Sequence, residues 1–190
     1  MLAPARAHAI GICPAQEGAI RKSSTEIYWI NRFRDGNLAV MAAPRPQEPL
    51  EEKILGWKSD GVDCVISLIE RFELPGLTEA EEALCEEFGI EFRSFPVRDK
   101  SVPSALSEFR ALVQEIAQRV SEGGAVAIHC RAGIGRSTTL AACVLIQLGI
   151  HAEEAIDMIA EARGVEVPET EAQRQWILRY ATNVPIYRQI

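Results

Sequence analysis

The chain has 190 residues, of which 47% are hydrophobic and 25% charged, and its formal net charge is −7. This length and balance predict one globular domain with enough apolar material for a core that needs no disulfide staples. The acidic character works against nucleic acid and anionic membrane surfaces as partners, so a site for phosphate has to be a local positive pocket.

Residues 1–26 show no clear period and are expected to form an irregular arm ahead of a single domain over 27–190. IYWINRF (27–33) alternates weakly, as an edge strand does, and RDGN (34–37) is a turn signal before the strand LAVMA (38–42). A proline-rich loop, PRPQEP (44–49), precedes a short helix over about 50–59. VDCVISLI (62–69) is a β-branched apolar run that suits a buried strand. Thr78 and Glu81 have the spacing of a capping box for a helix ending near Gly89. IEFRSFPV (90–97) follows as a strand, and Ser104 is placed to cap a longer helix that Gly123 and Gly124 stop. AVAIHC (125–130) is another buried strand, leading through a glycine-bearing turn into the helix RSTTLAACVLIQLG. A helix over 152–163 stops at Gly164, and Thr170 with Gln173 forms a second capping box for the last helix. Strands alternating with helices predict an α/β fold, with a mostly parallel central sheet flanked by helices on both faces.

Five cysteines, at 13, 64, 85, 130 and 143, form no CxxC pair. This points to a reducing, cytoplasmic setting rather than a disulfide framework. The histidines, His8, His129 and His151, lack the spacing of metal ligands, so neither a metal nor a cofactor is expected. No stretch reaches the ~18 apolar residues of a membrane span, and the N-terminus lacks the continuous apolar stretch of a signal peptide.

The chemistry concentrates in HCRAGIGRS, residues 129–137. Cys130 closes a strand, a five-residue loop follows, and Arg136 opens a helix. A cysteine facing a helix N-terminus lies among unpaired backbone N–H groups, which stabilise the thiolate that attacks as nucleophile. The same N–H groups, from Arg131, Ala132, Gly133, Ile134, Gly135 and Arg136, suit a tetrahedral dianion. Gly133 and Gly135 let the loop curl tightly, and the Arg136 guanidinium can make two parallel hydrogen bonds to phosphate oxygens. Ser137 places a hydroxyl within reach of the sulfur. His129 is expected to orient the loop rather than to act as a base. Cys64, Cys85 and Cys143 are expected as core fillers.

This segment resembles the HCxxGxxRS signature of the protein tyrosine phosphatase superfamily, in its small dual-specificity-like branch. The likeness extends over roughly residues 36–180 and includes PETEAQRQW (168–176). It implies a metal-free phosphatase in which Cys130 forms a cysteinyl-phosphate and a carboxylate first protonates the leaving oxygen, then activates water. The resemblance places that carboxylate about 30 residues before the cysteine, where FPVRDKSVPS offers Asp99. Asp99 must carry a proton to act as acid, which a bound dianion favours and its neighbours Arg98 and Lys100 oppose. Some relatives have a water-orienting glutamine near 169–173, where this chain has both Glu169 and Gln173; Gln173 is also the capping partner of Thr170.

The implied substrate is a phosphorylated protein or peptide, as phosphotyrosine and also phosphoserine or phosphothreonine, with no nucleic acid and no membrane involved. Two alternatives stand beside it: a phosphatase of inositol phosphates or phosphoinositides, and a phosphate-binding module without turnover. Ile134, where phosphoinositide-cleaving relatives often carry a lysine, weakens the first, although Arg131 is a basic loop residue.

Overall fold

A computed structural model describes residues 26–30 and 36–183. Eleven elements follow in chain order among them: β1 Tyr28–Trp29, β2 Asn37–Ala42, α1 Leu50–Ser59, β3 Cys64–Ser67, α2 Leu77–Glu87, β4 Glu91–Ser94, α3 Leu106–Ser121, β5 Ala125–Cys130, α4 Arg136–Gln147, α5 Ala152–Arg163 and α6 Glu171–Thr182. The strands form one sheet in the order β1-β2-β5-β3-β4. Only the β1–β2 pair is antiparallel. The α/β architecture with a mostly parallel sheet is therefore as the alternation of elements implied.

Strand β5 is paired on both sides. All six of its residues meet β2, from Asn37↔Ala125 to Ala42↔Cys130, and Cys64 to Ser67 of β3 meet Val126 to His129. Every side chain of β5 is buried, which is why it reads as an unbroken apolar run. Successive residues of the strand point to opposite faces. Val126, Ile128 and Cys130 join the larger core with α3, α4, α5 and α6, whereas Ala127 joins the smaller core with Ile54, Trp57 and Cys85 from α1 and α2. Phe109 of α3 anchors the larger core, with its ring edge-on to Trp176 at 5.0 Å and to Tyr180 at 6.2 Å.

Several local expectations need correction. Helix α2 starts at Leu77 behind Gly76, whose φ is +80°, and no side chain caps it. Thr78 and Glu81 form no capping box, because both lie inside the helix on its buried face. A spacing of three serves a cap and a helix face equally, and here burial decides. Ser104 does not cap α3, whose N-cap is Ala105. The strands expected over 62–69 and 90–97 are shorter at both ends. By contrast, α1 and α5 occupy the spans read from the sequence, and Thr170 and Gln173 make the reciprocal capping box of α6. Arg32, Arg34, Cys13, His8 and nearly all of the N-terminal arm lie outside the described residues.

Candidate active site

The sheet delivers Cys130 to the C-terminal end of its central strand, and α4 begins six residues later at Arg136. Cys130 is 3% exposed, with its Sγ 3.4 Å from Ser137 Oγ. Ser137 is thus brought to the sulfur as its position in the motif implied.

The five residues between strand and helix can curl only because two are glycine. Gly133 has φ +70°, and a Cβ there would stand 2.5 Å from the carbonyl oxygen of Met41. A Cβ on Gly135 would stand 2.9 Å from Gln173 Nε2 and 3.1 Å from Glu169 Oε2. Gly135 is therefore what allows the start of α6 to close on the loop. Arg163, at the end of α5, donates from Nε to Gly133 O at 2.9 Å and from Nη2 to Ala132 O at 3.1 Å. These bonds occupy two carbonyls of the loop and tie it to the end of α5. The Arg163 guanidinium also lies 3.9 Å from the ring centre of Tyr28, so β1 braces the same group.

Arg136 is buried, and its guanidinium is held from several sides. Nη1 donates to Val97 O at 2.8 Å and Leu68 O at 3.3 Å. Glu73 receives it end-on, with Oε1 2.5 Å from Nη1 and Oε2 2.8 Å from Nη2. Asp99 Oδ1 lies 3.0 Å from Nη2. Burial opposes the charge on both partners, but their mutual attraction wins: the Arg136 pKa is raised and the Glu73 carboxyl is held below the ordinary carboxylate range.

Asp99, the carboxylate that the resemblance implied, sits on the loop after β4, at this end of the sheet. That loop is tied at three points. Val97 O accepts from Arg136, Ser101 O accepts from Gln173 Nε2 at 3.1 Å, and Lys100 Nζ is 3.4 Å from Glu169 Oε1. Lys100 has φ +54°, an uncommon conformation for a side-chain-bearing residue. Gln173 therefore both caps α6 and holds the aspartate loop, and Glu169 holds the same loop through a charge.

His129 points to the opposite face from Cys130, with Nε2 3.3 Å from Oε1 of Glu81, and both side chains are fully buried. Burial, helped by the charge of Arg136, lowers the imidazole pKa to about 3. An imidazole held neutral in this way agrees with a role in orienting the loop. Glu73, Glu81 and Arg163 are the residues the sequence reading missed. Beside the loop, a cleft of about 340 Å³ is lined by Arg45, Arg131, Arg163 and Tyr28, with Glu26 the carboxylate on its wall. It is a local cationic recess in an acidic chain.

Residues 58–183 match the family model "Dual specificity phosphatase, catalytic domain". The chain belongs to that family. The matched residues include the loop just described, with Cys130 and Arg136 at its two ends. Among curated relatives, Cyclin-dependent kinase inhibitor 3 of Rattus norvegicus is 27% identical over 74% of this chain and 66% of its own length. The match thus spans slightly less than two thirds of that relative. Among solved structures, kinase associated phosphatase, in a form with serine replacing its catalytic-site cysteine, superposes with a TM-score of 0.69. It is 22% identical, and the match covers 82% of this chain and 93% of that one. Tk-PTP in its active form gives a TM-score of 0.66 at 28% identity, over 84% of this chain and 98% of its own.

Proposed function

We propose that the protein is a cysteine-dependent phosphatase of phosphotyrosine, and of phosphoserine and phosphothreonine, in proteins or peptides. The observation that carries this is the convergence of three groups on one spot: Cys130 at the end of the central strand, Arg136 at the start of α4, and Asp99 3.0 Å from Arg136 Nη2. Family membership supports the reaction class, and names such as "Dual specificity protein phosphatase 2" among the relatives support protein substrates.

The substrate phosphate enters the curl of 131–135, where backbone N–H groups neutralise its charge. The Cys130 thiolate attacks phosphorus; the S–P bond forms as the P–O bond to the leaving group breaks. Asp99, protonated, gives its proton to the leaving oxygen. Water then attacks the cysteinyl-phosphate, losing a proton to Asp99 and releasing inorganic phosphate. Ser137 Oγ, 3.4 Å from the sulfur, stabilises the departing thiolate.

Arg136 would take part through its remaining donors. A guanidinium has five N–H groups. Nη1 donates to Leu68, Val97 and Glu73, while Nη2 donates to Glu73 and has Asp99 Oδ1 as an ion-pair neighbour at 3.0 Å. A phosphate gripped through Nε and Nη2 must displace Asp99 from Nη2. Binding would then release the carboxylate from its cation at the moment it is needed as an acid.

A second reading, with inositol phosphates as substrates, is favoured by the cleft between Arg45, Arg131 and Arg163, which suits a polyanion. One set of assays separates the possibilities. Aryl phosphate hydrolysis in chelator should disappear in Cys130→Ser, and Asp99→Asn should lower it by about 10²–10⁴-fold. Full activity in Cys130→Ser would end the proposal. A substrate panel that strongly favours inositol polyphosphates over phosphopeptides would decide for the second reading, and phosphopeptide binding without turnover would reduce the protein to a binding module.

A further inference from the structure

The far side of β5 carries a buried pair that the reaction leaves unused. Glu81 of α2 and His129 of β5 are each 0% exposed, with 3.3 Å between Oε1 and Nε2. As placed, neither carboxyl oxygen and neither ring nitrogen has a hydrogen-bond partner among the described residues, and the 3.3 Å approach of Oε1 to Nε2 falls short of hydrogen-bond geometry for a ring N–H donor. Two buried, unsatisfied groups thus face each other, and a proton on the carboxyl is what would join them.

A carboxylate so placed, with no cation beside it and no other donor, is expelled by its surroundings unless it takes up a proton. A carboxylic acid has one O–H to donate, and a neutral imidazole has one nitrogen to receive it. We propose that Glu81 is a positioning residue for the cysteine loop: its protonated carboxyl donates to Nε2 of His129 and fixes the imidazole as the Nδ1–H tautomer directly behind Cys130. This rests on reading Cys130 as the nucleophile.

Electrostatics agree with the geometry. Burial pushes the Glu81 carboxyl up to about 8, and burial together with Arg136 pulls His129 down to about 3. The alternative, an ion pair with the proton on the ring, puts a second cation near Arg136 in a dry site. The titratable groups packed around the pair are Arg136 from α4, Cys130 next along β5, and Cys85 one turn further on α2; the Trp57 ring stands 6.3 Å from the imidazole. Of these, Arg136 alone is cationic, and it favours the neutral ring. The donated proton is present below the folded value of Glu81 and lost as pH rises through about 8.

The test compares Glu81→Gln, whose amide still donates, with Glu81→Leu, which cannot. Long-range proton–nitrogen NMR of His129 should show the neutral Nδ1–H form in the unaltered protein from about pH 5 to 7, and the same form in Glu81→Gln. Glu81→Gln should keep kcat within about threefold and lose the alkaline limb, while Glu81→Leu should drop kcat at least tenfold with KM little changed. An unaltered His129 that titrates as a cation across this range would overturn the proposal. So would Glu81→Gln falling as far as Glu81→Leu, or a folded Glu81→Leu with full kcat. If Glu81→Leu does not fold, the NMR of the unaltered protein and the glutamine variant decide. The tautomer readout needs no turnover, so it stands or falls separately from the assignment of Cys130, which Cys130→Ser tests.

Discussion

At the scale of single residues, Arg136 and Glu73 form the most consequential contact of the site. Both side chains are nearly inaccessible, at 2% and 5%, and two hydrogen bonds join them end-on. Removing one partner of such a pair leaves an uncompensated buried charge and costs about 3–5 kcal/mol. Glu73→Gln should accordingly lower unfolding free energy in urea by about 3 kcal/mol, and should also lower kcat/KM, because the fork offered to phosphate loses its anchor. An unchanged urea midpoint would show that the neighbouring carbonyls of Leu68 and Val97 suffice. The sign with pH follows from the depressed carboxyl of Glu73. Its contribution is fully present above the unfolded value of roughly 4.3 and is lost as pH falls through the lower folded value. The acid limb of stability should flatten in Glu73→Gln.

Elements explain what the loop can tolerate and what the sequence could disclose. Gly133 combines a positive φ with a backbone oxygen 2.5 Å from where a Cβ would lie. Gly133→Ala should therefore destabilise by at least about 1–3 kcal/mol and distort the loop, seen as a lower melting temperature and a lost burst of cysteine alkylation. A thermal melt matching the unaltered chain would mean that β2 yields at Met41. HCRAGIGRS was legible because strand end, glycine turn and helix start are all contiguous in sequence, and β5 and α4 are long, uniform runs. Asp99 was legible through the family resemblance, which implies a carboxylate about 30 residues before the cysteine, on a loop that emerges at the same end of the parallel sheet. Glu73 was not: it lies in the irregular stretch between β3 and α2, and only the fold brings it to an arginine 63 positions on. Arg163 stands in the last turn of α5, where a basic residue suits the end of any helix, so nothing in its local sequence points to the loop. The spacing of Glu81 from Thr78 suits a capping box, and spacing alone cannot tell that from two residues on a dry helix face.

For the whole molecule, the sheet matters more than the boundary of the family match. That match begins at residue 58, yet β2 lies before it and pairs with all six residues of β5. A chain starting at residue 58 would also lose Ile54 and Trp57 from the smaller core. It should show no cooperative thermal transition, and its bared β5 edge should promote aggregation. A sharp melt from that shortened chain would mean that β3 alone supports β5. Because β5 is bonded on both sides, the sulfur is carried by the central strand of the sheet, whereas the aspartate stands on a loop held mainly by side chains and by the backbone bond from Val97 N to Leu68 O. On the proposed mechanism, attack is thus mounted on the sheet and proton delivery on a loop. Such a division would let the acid move aside for products to leave while the anion cradle keeps its shape for the next turnover.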